Sequence, residues 1–237
     1  MTDRDRSLRL EIDQVSTAQI LRLVVTTLGA TAMIGLTIEA IQWAAEYARL
    51  VADPVFFGEG VARGDGHPVM VIPGLLGSDS YLETLRGWLR RIGYTPLASG
   101  LTRNTGFRQE LLDQLEQRAL TAADESGKGV SIIGHSLGGV YARAIARRNP
   151  ATIRHIITLG SPLKLDAGPV SVPFTAIYTP GDRIVRYPRA LSREAVALNV
   201  EAGGCHVGMA FNAAVYRAIA SALSRTGDAG SNELASA

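Results

Sequence analysis

Cysteine is almost missing from this chain of 237 residues: Cys205 stands alone. A single thiol excludes an internal disulfide and any metal site built from paired cysteines. It is compatible with a reducing compartment without proving one. Lysine is nearly as scarce, with only Lys128 and Lys164, so the basic side of the chain is arginine. Those arginines are scattered and the formal net charge is only +2. That excludes the concentrated basic footprint of a nucleic-acid binder, and no nucleic-acid partner is expected. Charged residues make up 19% against 46% hydrophobic, which excludes disorder for most of the chain and supplies a sizeable core. Internal repeats and low-complexity tracts are absent too; only residues 226–237 read as a disordered tail.

Also lacking is an apolar run of full membrane-spanning length. Residues 23–38 carry no charge, but as a helix they reach about 24 Å against ~30 Å of bilayer hydrocarbon. Residues 18–21 would lengthen the run at the cost of placing Arg22 near its end, where the side chain can snorkel. Ser16-Thr17 offers a helix cap, and residues 18–52 contain no proline. Beyond Glu39 the pattern turns amphipathic, with Ile41, Ala44, Ala45, Ala48 and Val51 on one side. Three readings stay open: a marginal membrane anchor, a helix packed on the domain or on a partner subunit, and a secretory signal. Acidic residues in the leader and the lack of a small-residue cleavage site weigh against the signal. The expectation is membrane contact through residues 18–52 and membrane association by that helix, with a cytoplasmic protein otherwise. The oligomeric state is not legible.

What is present is organised in order. Asp53-Pro54 ends the long helix, and Gly58, Gly60, Gly64 and Gly66 mark a linker. The division expected is therefore an extension over 1–55, a linker over 56–66, a domain over 67–225 and the tail. Within the domain, strands are predicted at 68–72, 94–98, 130–133, 153–159, 174–179 and 195–200. Helices are predicted at 79–92, 107–123, 140–148 and 211–223. Strands alternating with helices imply a mostly parallel sheet covered on both faces, an α/β fold.

The strand at 130–133 runs into Gly134-His135-Ser136-Leu137-Gly138, and a helix follows directly. Strand, G-x-S-x-G, helix is the context of a nucleophile elbow. Glycines two positions either side of the serine leave room where strand and helix nearly touch. A serine hydroxyl becomes a nucleophile only when an oriented imidazole takes its proton. Of the four histidines, His135 is expected to point into packing, His67 lies at a domain edge and His155 lies within a strand. His206 follows Gly203-Gly204-Cys205 after the last strand, at the sheet's carboxyl edge, and is the candidate base. Asp182, in the turn Pro180-Gly-Asp-Arg183 leaving a strand, is the candidate orienting acid; Asp166 is its rival, and Glu194 and Glu201 are less well placed. An oxyanion needs two backbone donors. Leu137 N–H, after the serine, and Leu75 N–H, in the turn after the first strand, are the candidates, since Pro73 has no N–H. Leu75, Leu76, Leu101, Phe107, Leu163, Leu165, Val170 and Val207 are candidates for an acyl pocket, with core packing the equal alternative.

With these residues in place the chain resembles the α/β-hydrolase superfamily, and within it the small bacterial esterases and lipases with a G-H-S-L-G-G elbow. The resemblance runs over about residues 68–223 and rests chiefly on the elbow and on Gly181-Asp-Arg-Ile-Val185. Those lipases usually carry His-Gly after the first strand; Pro73-Gly74 departs from it. The resemblance implies a minimal hydrolase core without a lid domain, cleaving small-molecule or lipid carboxylic esters through an acyl-enzyme on Ser136, with no metal or organic cofactor. A thioesterase or acyltransferase would use the same triad, and a non-catalytic hydrolase-fold binding or scaffold protein is the alternative from another class.

Overall fold

The computed structural model describes residues 30–165 and 168–231. Its first element is helix α1 (Ala30–Ala52), closed by Asp53, whose side chain accepts from Val55 N–H at the mouth of the 3-10 turn Pro54–Phe57. The domain proper then alternates β1 (Pro68–Ile72), α2 (Glu83–Arg91), β2 (Thr95–Ala98), α3 (Gln109–Ser126), β3 (Val130–His135), α4 (Leu137–Arg148), β4 (Ile153–Leu159), β5 (Phe174–Tyr178), β6 (Ala197–Glu201) and α5 (Ala213–Ser231). All the strand pairs are parallel, in the order β2-β1-β3-β4-β5-β6.

β1 and β3 are buried along their whole length, which is why they read as unbroken apolar runs rather than alternating ones. Alternate residues serve opposite faces. Val69, Val71, Ile133, Ile157 and Ile177 meet Leu50 of α1, Trp88 and Leu89 of α2 and Tyr216 and Ile219 of α5. Met70, Ile72, Ile132, Ile156 and Ala176 meet Leu111 and Leu115 of α3 and Tyr141 and Ile145 of α4. Polar side chains inside the sheet are matched across strands: His67 Nε2 pairs with Ser131 Oγ at 3.0 Å and His155 Nε2 with Thr175 Oγ1 at 2.9 Å. The outer strand β6 keeps Leu198 exposed, as an edge strand does.

Sequence order reverses direction between β1 and β3. Loops leaving their carboxyl ends therefore sit side by side over the crevice where open α/β sheets bind ligands.

Two details differ from the sequence reading. The apolar side expected of α1, Ile41, Ala44, Ala45, Ala48 and Val51, faces outward, while Glu39, Glu46 and Leu50 are the buried positions among its described side chains. The reason is local: the loop they meet offers backbone N–H groups that carboxylates can accept. The last helix continues to Ser231, so the expected boundary at 225 falls inside it. The segment of 160–173 joining β4 to β5 contains only the 3-10 turn Leu163–Leu165 among its described residues. Asp166 and residues 18–29 lie outside the described residues, and none of the described helices is long and apolar enough to cross a membrane.

Candidate active site

Ser136 sits between the end of β3 and the start of α4 with φ 51° and ψ −120°, a conformation that a side-chain-bearing residue rarely adopts. The surroundings over-determine it. Its N–H donates to Leu159 O at 2.8 Å, and Gly139 N–H returns to its carbonyl at 3.0 Å. A Cβ on Gly134 would lie 2.3 Å from Gly139 N, and one on Gly138 would lie 2.2 Å from Ile72 O. Strand and helix thus touch on both sides of the serine, and only glycine fits at either place.

Asp182 and His206 come together from separate loops. His206 Nδ1–H donates to Asp182 Oδ2 at 2.6 Å, with both side chains buried. The other oxygen, Oδ1, accepts from Ile184 N–H at 2.8 Å and Val185 N–H at 2.6 Å, so the carboxylate cannot rotate without losing partners. Gly160, at φ 55°, backs the pair: a Cβ there would meet Asp182 Oδ2 at 3.0 Å and His206 Nδ1 at 3.1 Å. Thr179 Oγ1 donates to Gly204 O at 3.0 Å and binds the acid turn to the base loop. With Nδ1 holding the proton, His206 Nε2 is the free lone pair. No hydrogen bond joins it to Ser136 Oγ in this structure.

The turn after β1 abuts the serine, since a Cβ on Gly74 would lie 2.8 Å from Ser136 Cβ. Asn104, fully buried, pins that turn. Its Nδ2 donates to Pro73 O at 2.8 Å, its N–H to Gly77 O at 2.8 Å, and its carbonyl accepts from Leu76 N–H at 2.7 Å. Leu76 adopts φ 62° and is exposed. The N–H groups of Leu75 and Leu137 find no hydrogen-bond acceptor among the described residues. Of the acyl-pocket candidates, Leu163 and Val170 are buried in the core cluster under α4, while Phe107 stacks on Tyr141 with ring centroids 4.7 Å apart. Leu75 and Leu101 pack partly buried on that same cluster. Leu76 and Leu165 are exposed, and Val207 is half-buried beside the base.

Several residues hold the loop of His206 in ways the sequence did not reveal. His135 is buried and its Nε2–H donates to His206 O at 3.0 Å. Burial, and then the neighbouring His206, push its pKa down to about 3, so it is a neutral donor. Tyr81 OH donates to Val207 O at 2.6 Å, and burial holds its phenol well above the ordinary range. Cys205 is buried, and desolvation raises its thiol, which makes it an inert packing residue. From α1, Glu46 Oε1 accepts from Cys205 N–H at 2.8 Å and Glu39 Oε2 from Val207 N–H at 3.3 Å. Asn104 carried a usable signal, being an asparagine two residues before a glycine in a turn. The glutamates carried none, because the donors they accept from lie far along the chain. Among the described residues no cluster of His, Cys, Asp or Glu could hold a metal ion.

Comparison with known proteins follows the same lines. The family model described as palmitoyl protein thioesterase matches residues 68–200, more than half of the chain. That stretch contains Ser136 and Asp182 and stops short of His206. Among solved structures, the fold resembles an α/β-hydrolase enzyme from the metagenome of Mar Chica lagoon sediments in Morocco, at TM-score 0.51 and 16% identity over 66% of this chain and 90% of that one. It resembles the α/β hydrolase domain-containing protein 10 from mouse at TM-score 0.52 and 15% identity, over 70% and 91%. A predicted CIB-like hydrolase from Thermoplasma acidophilum gives TM-score 0.53 and 14% identity, over 70% and 89%. No curated protein matches the sequence.

Proposed function

The chain belongs to the palmitoyl protein thioesterase family, and from that premise we propose that it is a serine hydrolase of acyl thioesters, acting through an acyl-enzyme on Ser136. It is an α/β hydrolase by fold and family. The observation that carries the acyl-enzyme reading is the Asp182–His206 pair at 2.6 Å, together with a serine held in the strained elbow conformation. In the proposed cycle Ser136 Oγ attacks the acyl carbonyl carbon while His206 Nε2 takes the hydroxyl proton. Asp182 stabilises the imidazolium and keeps Nδ1 protonated. The N–H groups of Leu75 and Leu137 receive the oxyanion, the second aided by the amino end of α4. Collapse expels the thiolate, which His206 protonates. Water then attacks the acyl-enzyme, His206 takes its proton, and the carboxylate leaves with Ser136 restored.

The family description favours a thioester; the resemblance of the elbow to small esterases favours an oxyester as the second reading. Acyl contact falls to Leu76, Leu101, Phe107 and Val207, with Leu163 supporting them from the core. Membrane contact through residues 18–52 remains part of the proposal, since Ile41, Trp43, Tyr47 and Val51 are exposed on α1. The test is a chain-length series of matched thioesters and oxyesters on the purified protein. We expect kcat/KM to be higher for the thioester at each length and to rise with acyl length. Turnover should vanish in Ser136→Ala together with fluorophosphonate labelling. A Ser136→Ala protein that keeps its activity would end the proposal, and a preference for oxyesters throughout the series would replace thioester by ester.

A further inference from the structure

Helix α1 carries two buried carboxylates on the face it turns toward the domain. Glu39, Glu46 and Leu50 lie at i, i+7 and i+11, one stripe of a helix. A packing face of this kind ordinarily holds apolar side chains, because burying a carboxylate costs several kcal/mol unless donors meet it. Here the donors all belong to the segment that carries His206.

Glu46 has the more hydrogen-bond donors of the two. Oε1 accepts from Cys205 N–H at 2.8 Å and Oε2 from Asn212 Nδ2 at 3.1 Å. Its carboxyl fills a cradle formed by Gly204 and Gly208, two residues before and two after His206. A Cβ on Gly204 would lie 2.5 Å from Oε2, and one on Gly208 would lie 2.4 Å from the same oxygen. Any larger residue at either position evicts Glu46. Glu39 Oε2 takes the N–H of Val207, two residues on, while Oε1 has no partner among the described residues. On the other side His135 holds His206 O and Tyr81 holds Val207 O. Three consecutive residues, 205–207, are therefore gripped by polar groups from α1, from the elbow and from the turn before α2. Phe211, edge-on to Trp43 and Tyr47 at 5.7 and 5.6 Å, seals the end of the contact.

We infer that Glu46, assisted by Glu39, is a positioning residue for the base: through the Gly204–Gly208 cradle it fixes the backbone that aims His206 at Ser136. This makes α1 part of the catalytic apparatus, and it rests on the reading of His206 as the base. A misplacement of about 1 Å at a base costs on the order of a hundredfold in rate. Such a loss falls on kcat and on the reactivity of Ser136, and it leaves substrate affinity almost untouched.

The experiment compares Glu46→Ala, Glu46→Gln, Gly208→Ala, the Glu46→Ala/Gly208→Ala double variant and Leu50→Ala, all in the full chain. Leu50 is buried on the same stripe within the apolar core cluster and its side chain makes no hydrogen bond to residues 205–207, so it reports the apolar docking of the helix. The readouts are kcat and KM for the best thioester of the series, the rate of fluorophosphonate labelling, and far-UV circular dichroism. Glu46→Ala should lower kcat and labelling together by roughly 10- to 100-fold, with KM within about twofold. Glu46→Gln should recover part of that loss, because the amide oxygen still accepts from Cys205 N–H while its NH2 loses the bond from Asn212 Nδ2. Gly208→Ala should mimic Glu46→Ala, and the double variant should be no worse than either, since one device is broken once. If Glu46→Ala does not fold, Gly208→Ala against Leu50→Ala decides by the same criteria. A kcat within about twofold of the parent, an equal loss in Leu50→Ala, or multiplying losses in the double variant would overturn the inference. Ser136→Ala separates the two ideas: active, it removes the reading of the site; inactive beside a fully active Glu46→Ala, it removes only the positioning role.

Discussion

Replacing Asp182 by asparagine tests the site most sharply, because the structure dictates which way the amide must face. Asp182 Oδ1 accepts two backbone N–H groups, from Ile184 and Val185, while Oδ2 faces His206 Nδ1. In the variant the amide oxygen must take the Oδ1 position. The reverse orientation would set an NH2 against two buried donors, at about 1–3 kcal/mol for each bond lost. The NH2 therefore faces His206 and forces Nδ1 to accept, which moves the ring proton to Nε2. A base protonated at Nε2 cannot take the hydroxyl proton of Ser136. Reaching the productive tautomer means paying about 2–6 kcal/mol to flip the amide, which is a fall of roughly 30- to 2 × 10⁴-fold in kcat. The fold should survive, since both backbone donors keep an acceptor. Asp182→Ala leaves them unsatisfied and should lower the unfolding midpoint more than Asp182→Asn does. Steady-state thioester hydrolysis and urea unfolding of the two variants measure both effects. Turnover of Asp182→Asn within about tenfold of the parent, or equal destabilisation by the two changes, would refute the reasoning.

Other outcomes follow from the same geometry. Gly138→Ala should give a poorly folded, inactive protein, because the added methyl carbon would lie 2.2 Å from Ile72 O; a soluble and active variant, checked by circular dichroism and turnover, would contradict the close approach. Burial holds His135 at about 3 and His155 at about 4, so the unfolded chain binds more protons than the folded one below the ordinary histidine range. Stability should therefore be complete above about pH 6.5 and decline as pH falls toward 4, with urea midpoints at pH 7 and pH 5 as the check; equal midpoints would contradict the burial of neutral imidazoles. Since 160–173 is short, turnover of a soluble ester should show no jump when substrate passes from monomers to micelles.

How much of this was legible beforehand depends on where the information lies in the chain. The strands were readable because β1, β3, β4 and β5 are buried and rich in Val and Ile, and their predicted ends fall within a residue or two of the observed ones. The elbow was readable because its chemistry is local: two glycines and a serine within five residues. Asp182 and His206 could be proposed from their places after strands, yet only the folded chain shows Nδ1 and Oδ2 at 2.6 Å. The grip on residues 205–207 was not readable at all. Glu46 and Cys205 lie 159 residues apart, and a glutamate in an amphipathic helix reads as a solvated face. The amphipathic pattern of α1 misled for a related reason. Ala44, Ala45, Ala48 and Ile41 are apolar but face outward, while Glu39 and Glu46 are buried because the loop they meet offers them hydrogen-bond donors.

The amino-terminal region offers a last prediction, because its two suggested roles fall on different residues. Among the described residues, α1 meets the base loop through Glu39 and Glu46, and Leu50 joins the core cluster. The uncharged run that could enter a bilayer, 23–38, lies before these residues. Two truncations therefore separate the roles. A chain beginning at residue 30 keeps every contact described for α1, and it should retain the kcat of the full chain while losing residues 23–29, so that the uncharged stretch left is far too short to span a bilayer. A chain beginning at residue 58 loses Glu39, Glu46 and Leu50 and also Val55, whose carbonyl accepts from Trp88 Nε1–H at 2.7 Å. Phe211, Met209 and Trp88 would then face water, and burial of a single large apolar side chain is worth about 1.5–3 kcal/mol. Three such losses approach a large share of the roughly 5–15 kcal/mol that holds a domain together. That chain should aggregate, or fold without activity. If 23–38 holds the protein on membranes, the full chain should sediment with them and the chain beginning at 30 should be released. A chain beginning at 58 that is monodisperse and turns over thioester at the full rate would show that α1 contributes neither to the core nor to the base, whatever the full chain does at a membrane.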